Sequence, residues 1–223
     1  DVAAVVVETI RCTDVQIPPP DYYRRLRRIC DRHGALLILD EIPIALGRTG
    51  HLFAIERYGI EPDMVVIGKG LGGGSMPLAA LIARSRFDVG QHISLGHYTH
   101  EKNPLACAAG LAMLDVIEEE RLLARSLRLG EAVTAYLERA RNQAIASIRS
   151  AGLLIGIELR DTAARSAQDL AEAVLYRCLS DGISFKVGQG KVLVLAPPLN
   201  IEESDLWWAL ERIVAAVDAE SRA

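Results

Sequence analysis

Val65-Val66-Ile67-Gly68-Lys69-Gly70-Leu71-Gly72-Gly73-Gly74-Ser75-Met76-Pro77 is the stretch from which the rest of the chain is read. The apolar run Met64–Ile67 predicts a buried strand. It ends at Gly68, Lys69 follows at once, and the glycines at 70, 72, 73 and 74 exclude a helix or strand interior. A lysine therefore stands at the mouth of a strand, on a loop that lets backbone or ligand come close. In an α/β sheet, ligands bind beyond the carboxyl ends of the strands. Three readings of Lys69 compete: a solvated loop lysine, a phosphate loop, and an amine that forms a Schiff base with a carbonyl cofactor. A Walker loop needs its glycines before the lysine, and here Gly70 follows it. Spacing alone favours the solvated lysine.

The 223 residues suffice for one large domain or two small ones, and with 50% hydrophobic residues a sizeable core is expected. The net charge is −4 and Lys and Arg form no long block, which argues against nucleic acid and against a polybasic membrane patch. The densest basic run, Arg24-Arg25-Leu26-Arg27-Arg28, is expected on the wet face of a helix. Cys12, Cys30, Cys107 and Cys178 form no C-x-x-C pair, and the histidines show no zinc spacing. The expectation is a reduced, cytoplasmic protein without a metal site. No apolar run is long enough to span a membrane and no signal peptide is visible. Residue 1 is Asp and Val2–Val7 is already a strand pattern, so the chain is expected to be the C-terminal part of a longer protein.

Taken in order, Val2–Val7 predicts a central strand closed by Glu8. After the stiff Pro18-Pro19-Pro20, Asp21 is the expected N-cap of a helix from Tyr22 to His33, with Leu26, Ile29 and Cys30 inward and Gly34 as C-cap. Ala35–Leu39 is a second buried strand that ends in Asp40-Glu41. Two carboxylates there are compatible with a helix cap, a metal site or a cofactor contact. His51–Tyr58 reads as a short helix stopped by Gly59, and Leu78–Ala83 as a fourth strand. This alternation predicts a mostly parallel sheet covered on both faces, with Glu8, Asp40 and Lys69 converging at its carboxyl edge.

Beyond Gln91 the pattern changes. Asn103-Pro104 is a helix start, and helix is expected from Leu105 to about Ala144, with a break near Glu120. Strand is expected over Ile148–Arg160, helix over Ala164–Ser180, and short strands over Gly182–Phe185 and Val192–Leu195. Asn200 with Glu203 resembles a capping box for a last helix, Glu202–Ala216, and Trp207 and Trp208 are expected to pack against the fold or a partner subunit. The resulting division is 1–103 for the end of a large sheet domain, 104–145 for a connecting helical segment, and 146–223 for a small α+β domain.

The segments Leu36–Ile42, Gly47-Arg48-Thr49-Gly50, Pro62-Asp63, Gly68–Gly74 and Pro77–Ala80 resemble the class III aminotransferases, which are pyridoxal-phosphate (PLP) enzymes of fold type I. The resemblance continues through Thr99, Asn103–Ala109 and Pro197-Pro198-Leu199, in order and at family spacing over essentially the whole chain. It implies an α/β, fold type I protein represented by its C-terminal half. Lys69 would carry the Schiff base and then move protons at the substrate carbon. Asp40 would pair with the pyridine nitrogen. Thr99 would reach the cofactor phosphate of the neighbouring subunit, so the resemblance implies a homodimer with shared sites. Glu8 matches a glutamate at the site's edge.

Three positions depart from the family pattern. Pro43 stands where the family usually has a Gln that contacts the cofactor's ring hydroxyl. Val194 stands where an Arg often grips a substrate carboxylate. His100-Glu101-Lys102 stands where small or aromatic residues are usual. The combination of Glu8–Thr13, Asp40–Pro43 and Gly96–Pro104 is similar to a subgroup that includes PLP lyases acting on amino-phosphonates such as 1-hydroxy-2-aminoethylphosphonate. In that setting Arg11, His97, His100 and Lys102 would bind an anionic group. The implied function is amino transfer between a small amine and a keto acid. The alternatives are an ammonia-lyase or phospho-lyase of the same fold, and a non-catalytic homologue that acts as a dimerisation partner. No residue here matches the family's phosphate-cradling loop or ring-stacking aromatic, so the isolated chain is expected to present half of a PLP pocket and to be inactive.

Overall fold

The computed structural model describes residues 1–90, 92–93, 96 and 98–222, which fall into two compact units. Unit 1 comprises Asp1–Ile10, Pro18–Leu46 and His51–Arg121; unit 2 comprises Arg11–Ile17, Gly47–Gly50 and Leu122–Ala223.

Unit 1 is built on a four-stranded sheet in the order β1 (Ala4–Glu8), β2 (Leu36–Asp40), β3 (Met64–Ile67), β4 (Ala80–Ala83). The first three strands are parallel, as the alternation of strands and helices predicts, and β4 returns antiparallel to β3. Between β1 and β2 runs α1 (Tyr22–His33), which ends on left-handed Gly34 as expected. Asp21 occupies the N-cap position, but its side chain makes no capping bond. Cys30 is buried, whereas Ile29 is 53% exposed, and the residue that fills the expected inward position is Tyr23. Tyr23 packs with Cys30, Leu37, Leu39, Ile55 and Tyr58. Its hydroxyl donates to the carbonyls of Glu8 (2.8 Å) and Thr9 (3.0 Å), so a buried phenol pins the carboxyl end of β1. Burial pushes its pKa far up.

The basic run of α1 is not all wet. Arg27 donates to the buried carboxylate of Asp63 (2.6 Å), which also accepts from Leu37 N (2.8 Å) and Arg86 (2.6 Å). Burial alone would raise the Asp63 pKa, but the Leu37 amide and the Arg27 guanidinium outweigh it and hold the carboxyl below the ordinary range. The short helix expected at 51–58 is a 3₁₀ turn over Ala54–Tyr58, stopped by left-handed Gly59. The helical stretch expected from 105 is two helices, α2 (Pro104–Glu119) in unit 1 and α3 (Leu122–Arg139) in unit 2, separated at Glu120 and Arg121. Asn103 caps α2 through Leu105 N, with Pro at the first turn as predicted.

Unit 2 carries an antiparallel sheet in the order β5 (Ile145–Ala151), β6 (Leu154–Leu159), β8 (Val192–Leu195), β7 (Lys186–Gly188). The single strand expected at 148–160 is therefore the β5–β6 hairpin, turned at Gly152 with φ +54°. The strand expected at 182–185 begins later, at Lys186. Helices α3, α4 (Ala167–Ser180) and α5 (Glu203–Glu220) complete the unit. Glu202, not Asn200, holds the N-cap position of α5, without a side-chain cap. Trp207 stacks edge-on against Tyr136, and Trp208 is 44% exposed.

The loop Arg11–Ile17 lies directly on this sheet. A Cβ at Gly188 would stand 1.6 Å from the Thr13 carbonyl oxygen, so only glycine permits that approach. Arg149 bonds the carbonyls of Asp14 (3.0 Å) and Val15 (3.1 Å) and pairs with Glu158 (2.6 Å), which also pairs with Lys191 (2.8 Å). Hydrogen bonds from Lys191 and Arg149 draw the Glu158 carboxyl down to about 2.

Two outcomes test this packing. Gly188→Ala is expected to cost about 3 kcal/mol in urea unfolding, through forced backbone displacement. The Glu158 pKa is lowered in the folded state, so its stabilisation is present above the ordinary carboxylate value and is lost as pH falls toward about 2. Wild type should lose stability over that window relative to Glu158→Gln, and parallel pH curves would refute the assignment.

Candidate functional site

The chemistry-bearing residues of unit 1 gather at the carboxyl edge of its sheet. Register pairs Glu8 with Asp40 across β1 and β2, and Asp40 with Val66 across β2 and β3. Strand alternation then decides the faces. Leu37 and Leu39 point into the core with Tyr23, so Asp40 and its neighbour Glu8 belong to the opposite, more open face. Lys69 follows the end of β3 by two residues.

Lys69 is exposed and holds φ +46°, a left-handed conformation that a residue with a Cβ rarely adopts. Its backbone begins a 3₁₀ turn, Lys69–Gly72, closed by left-handed Gly73. Among the described residues its ammonium group makes no hydrogen bond or ion pair.

The two acids at the end of β2 divide their labour. Asp40 is half-buried, and its Oδ1 accepts from Ile42 N (3.0 Å); Oδ2 has no partner among the described residues. Glu41 is fully buried, at 0% exposure. Its Oε1 accepts from Thr9 Oγ1 (2.7 Å) and Ile55 N (2.8 Å), and its Oε2 from Ala54 N (2.6 Å). Burial pushes the Glu41 carboxyl up, against the pull of the Thr9, Ala54 and Ile55 donors. Glu41 thus caps the distant turn at Ala54–Tyr58 and ties it to Thr9, next to Glu8. Its carbonyl also accepts from Ile44 N (3.0 Å) and Ala45 N (2.9 Å), which fixes the turn that carries Pro43. Of the three readings left open for the acid pair, capping describes Glu41. Sequence reasoning did not single it out, although an acid that follows a fully buried strand and precedes an Ile-Pro turn has no solvent route for its charge.

The other candidates separate. Arg11 belongs to unit 2 and forms a two-pronged pair with Asp14 (2.8 and 2.5 Å), which occupies the guanidinium face that an anionic ligand would need. Thr99 and His100 are exposed in a turn closed by Glu101 N on the Tyr98 carbonyl (3.0 Å). Lys102 is exposed, with φ +57°, and pairs with Glu101 (3.7 Å). His97 lies outside the described residues. Among the described residues no cluster of His, Cys, Asp and Glu is arranged to hold a metal, and no helix is long and apolar enough to cross a membrane.

A family model described as aminotransferase class-III matches residues 1–217. The (R)-1-hydroxy-2-aminoethylphosphonate ammonia-lyase of Vibrio splendidus (strain 12B01) is 45% identical over 223 residues, covering 97% of this chain and 47% of that protein. Ornithine aminotransferase of Bacillus cereus (strain Q1) is 38% identical over 220 residues, covering 96% and 52%. Ornithine aminotransferase from Toxoplasma gondii, whose structure has PLP at partial occupancy in its active site, superposes with a TM-score of 0.90 at 32% identity, covering 98% and 52%. The chain spans about half the length of the curated relatives it matches.

Glu41→Ala leaves three donors without an acceptor and should cost about 3 kcal/mol or more. Amide exchange at Ala54 and Ile55 is expected to accelerate more than exchange in α1. Uniform acceleration throughout unit 1 would show that Glu41 has no local anchoring role.

Proposed function

The chain belongs to the class-III aminotransferase family, PLP enzymes of fold type I, and we propose that the intact protein uses Lys69 to run PLP-dependent chemistry on the amino group of a small amine. The residues present fit that cofactor. Among the described residues, an exposed primary amine without a partner stands at one strand end, and a carboxylate with one unbonded oxygen stands at the end of the neighbouring strand. That pairing of Lys69 and Asp40 at one sheet edge is the observation that carries the reading.

When bound, PLP supplies an aldehyde for an amine and a ring that withdraws electrons from the carbon bearing the amino group. Lys69 would hold that group through its side-chain amine. The same amine, placed beside the substrate carbon, would take the proton from that carbon. Asp40 would accept from the ring nitrogen and keep it protonated. Glu41 acts through Asp40 by holding the end of β2 rigid. Glu8 would border the site, and Pro43 would offer the ring no donor. In the homodimer that this reading requires, the Thr99 hydroxyl serves the cofactor phosphate of the other subunit. His97, His100 and Lys102 are offered to an anionic substrate group. Arg11 is a weaker candidate because Asp14 already engages it. A cytoplasmic location accords with four cysteines that form no disulfide.

Transfer of the amino group to a keto acid is the reaction that accords with the family. A second reading, elimination of ammonia from an amino-phosphonate, is favoured by the 45% identity to the Vibrio splendidus lyase, against 38% to the Bacillus cereus ornithine aminotransferase. It needs the same proton abstraction by Lys69, followed by loss of a leaving group instead of reprotonation.

In the intact protein, Lys69→Ala should abolish the visible cofactor absorbance and lower turnover by at least ~10²-fold. Retention of a covalently bound cofactor at one equivalent would remove Lys69 from the role. Ammonia release from an amino-phosphonate without any keto acid selects the lyase, whereas strict dependence on a keto acid selects the transaminase.

A further inference from the structure

Unit 2 contains a cavity of about 450 Å³, within the usual size range of small-molecule sites. Its floor is Ile155 and Leu195 from the sheet and Leu206, Leu210 and Ile213 from α5, all buried. Among the described residues its side-chain polar groups are the Cys12 thiol, the Ser184 hydroxyl and the Lys186 ammonium, with no carboxylate in the lining.

Charge at this cavity is one-sided. Lys186 is exposed and makes no ion pair among the described residues. It lines the cavity and stands in register with Val194, another lining residue, across β7 and β8. Arg48 touches one lining residue. Its guanidinium donates to the carbonyls of Leu153 (3.2 Å) and Pro197, and Pro197 lines the cavity. No carboxylate pairs with Arg48 among the described residues, so a buried cation is satisfied by carbonyl dipoles without a counter-ion. Burial lowers its pKa, against an opposing pull from Cys12, another lining residue.

We propose that this cavity binds a medium-chain aliphatic carboxylate, with its chain on the Leu206–Leu210–Ile213 floor and its head on Lys186. A neutral apolar molecule would use the floor but leave both cations uncompensated. A compact polyanion would strip water from its charges against an apolar floor and find one exposed cation in return. An amphiphile with a single negative end satisfies both halves of the cavity. The inference does not depend on the amino-group chemistry assigned to Lys69.

Calorimetric titration of the protein with octanoate and, separately, with 1-octanol tests the idea. Octanoate is expected to bind about fivefold more tightly than octanol at low salt, and added salt should erase the difference. Lys186→Met, a change at an exposed position, should bring octanoate down to the affinity of octanol and leave octanol unchanged. Ala209→Phe, which fills the cavity from α5, should abolish both. Equal affinities in the wild type overturn the proposal, as does octanoate binding that ignores both substitutions or is absent up to about 10 mM.

Discussion

A buried carboxylate is the constraint on which the candidate site rests. Glu41 is removed from water at the end of β2, and an unpaired carboxylate there would be prohibitively costly. Three donors resolve that cost: one from the segment after β1 and two from a turn more than ten residues further on. The geometry of the strand ends is therefore over-determined. Asp40 is the residue immediately before this anchor, so its backbone has little freedom to move. A functional carboxylate that must meet a ring nitrogen gains from such a neighbour, because the positional cost is met during folding and not at binding. Tyr23 does the equivalent service for β1, where its hydroxyl holds the carbonyls of Glu8 and Thr9 from beneath.

The loops that leave this edge have a different fate from the strands that end there. Arg11–Ile17 follows β1 and Gly47–Gly50 follows β2, yet both belong to unit 2. Each is held by backbone carbonyls and not by side-chain packing alone. Arg149 captures the carbonyls of Asp14 and Val15, while Ser126 Oγ and Leu153 N both donate to the carbonyl of Arg48 (3.0 Å each). Gly188 supplies the bare surface that lets the first loop come so close. The chain thus devotes its most exact backbone contacts to segments only a few residues beyond Glu8 and Glu41. Arg11, which spacing suggested for an anionic ligand, is drawn into this scheme by Asp14 and becomes part of the loop's internal bracing.

Much of the architecture was legible because its causes are short in range. The β-branched run at 4–8, the apolar run before Gly68 and the Asn103-Pro104 cap each act through neighbours a few residues away. The same holds for Gly34 and Gly59, where a left-handed residue ends a helical segment. Errors fell where a local rule met a distant partner. Ile29 has the helical phase of a core residue but faces outward, because Tyr23 and Tyr58 fill the space above Leu37 and Leu39. Arg27 sits in a run that reads as solvated, yet a carboxylate 36 residues away draws it inward.

The sequence alone determined that a lysine follows a buried strand, that acids end the strands before it, and that these motifs follow the class III pattern in order. Strand periodicity, glycine permissiveness and family spacing suffice for that. Only the tertiary structure decided which of the adjacent acids would be buried and which left open, that Arg11 would be occupied, and that Arg48 would donate to the Pro197 carbonyl with no counter-ion among the described residues. Those outcomes depend on desolvation and on partners such as Ala54, Asp14 and Leu153. Burial is a property of the packed chain, and no local reading of residues 40–48 contains it.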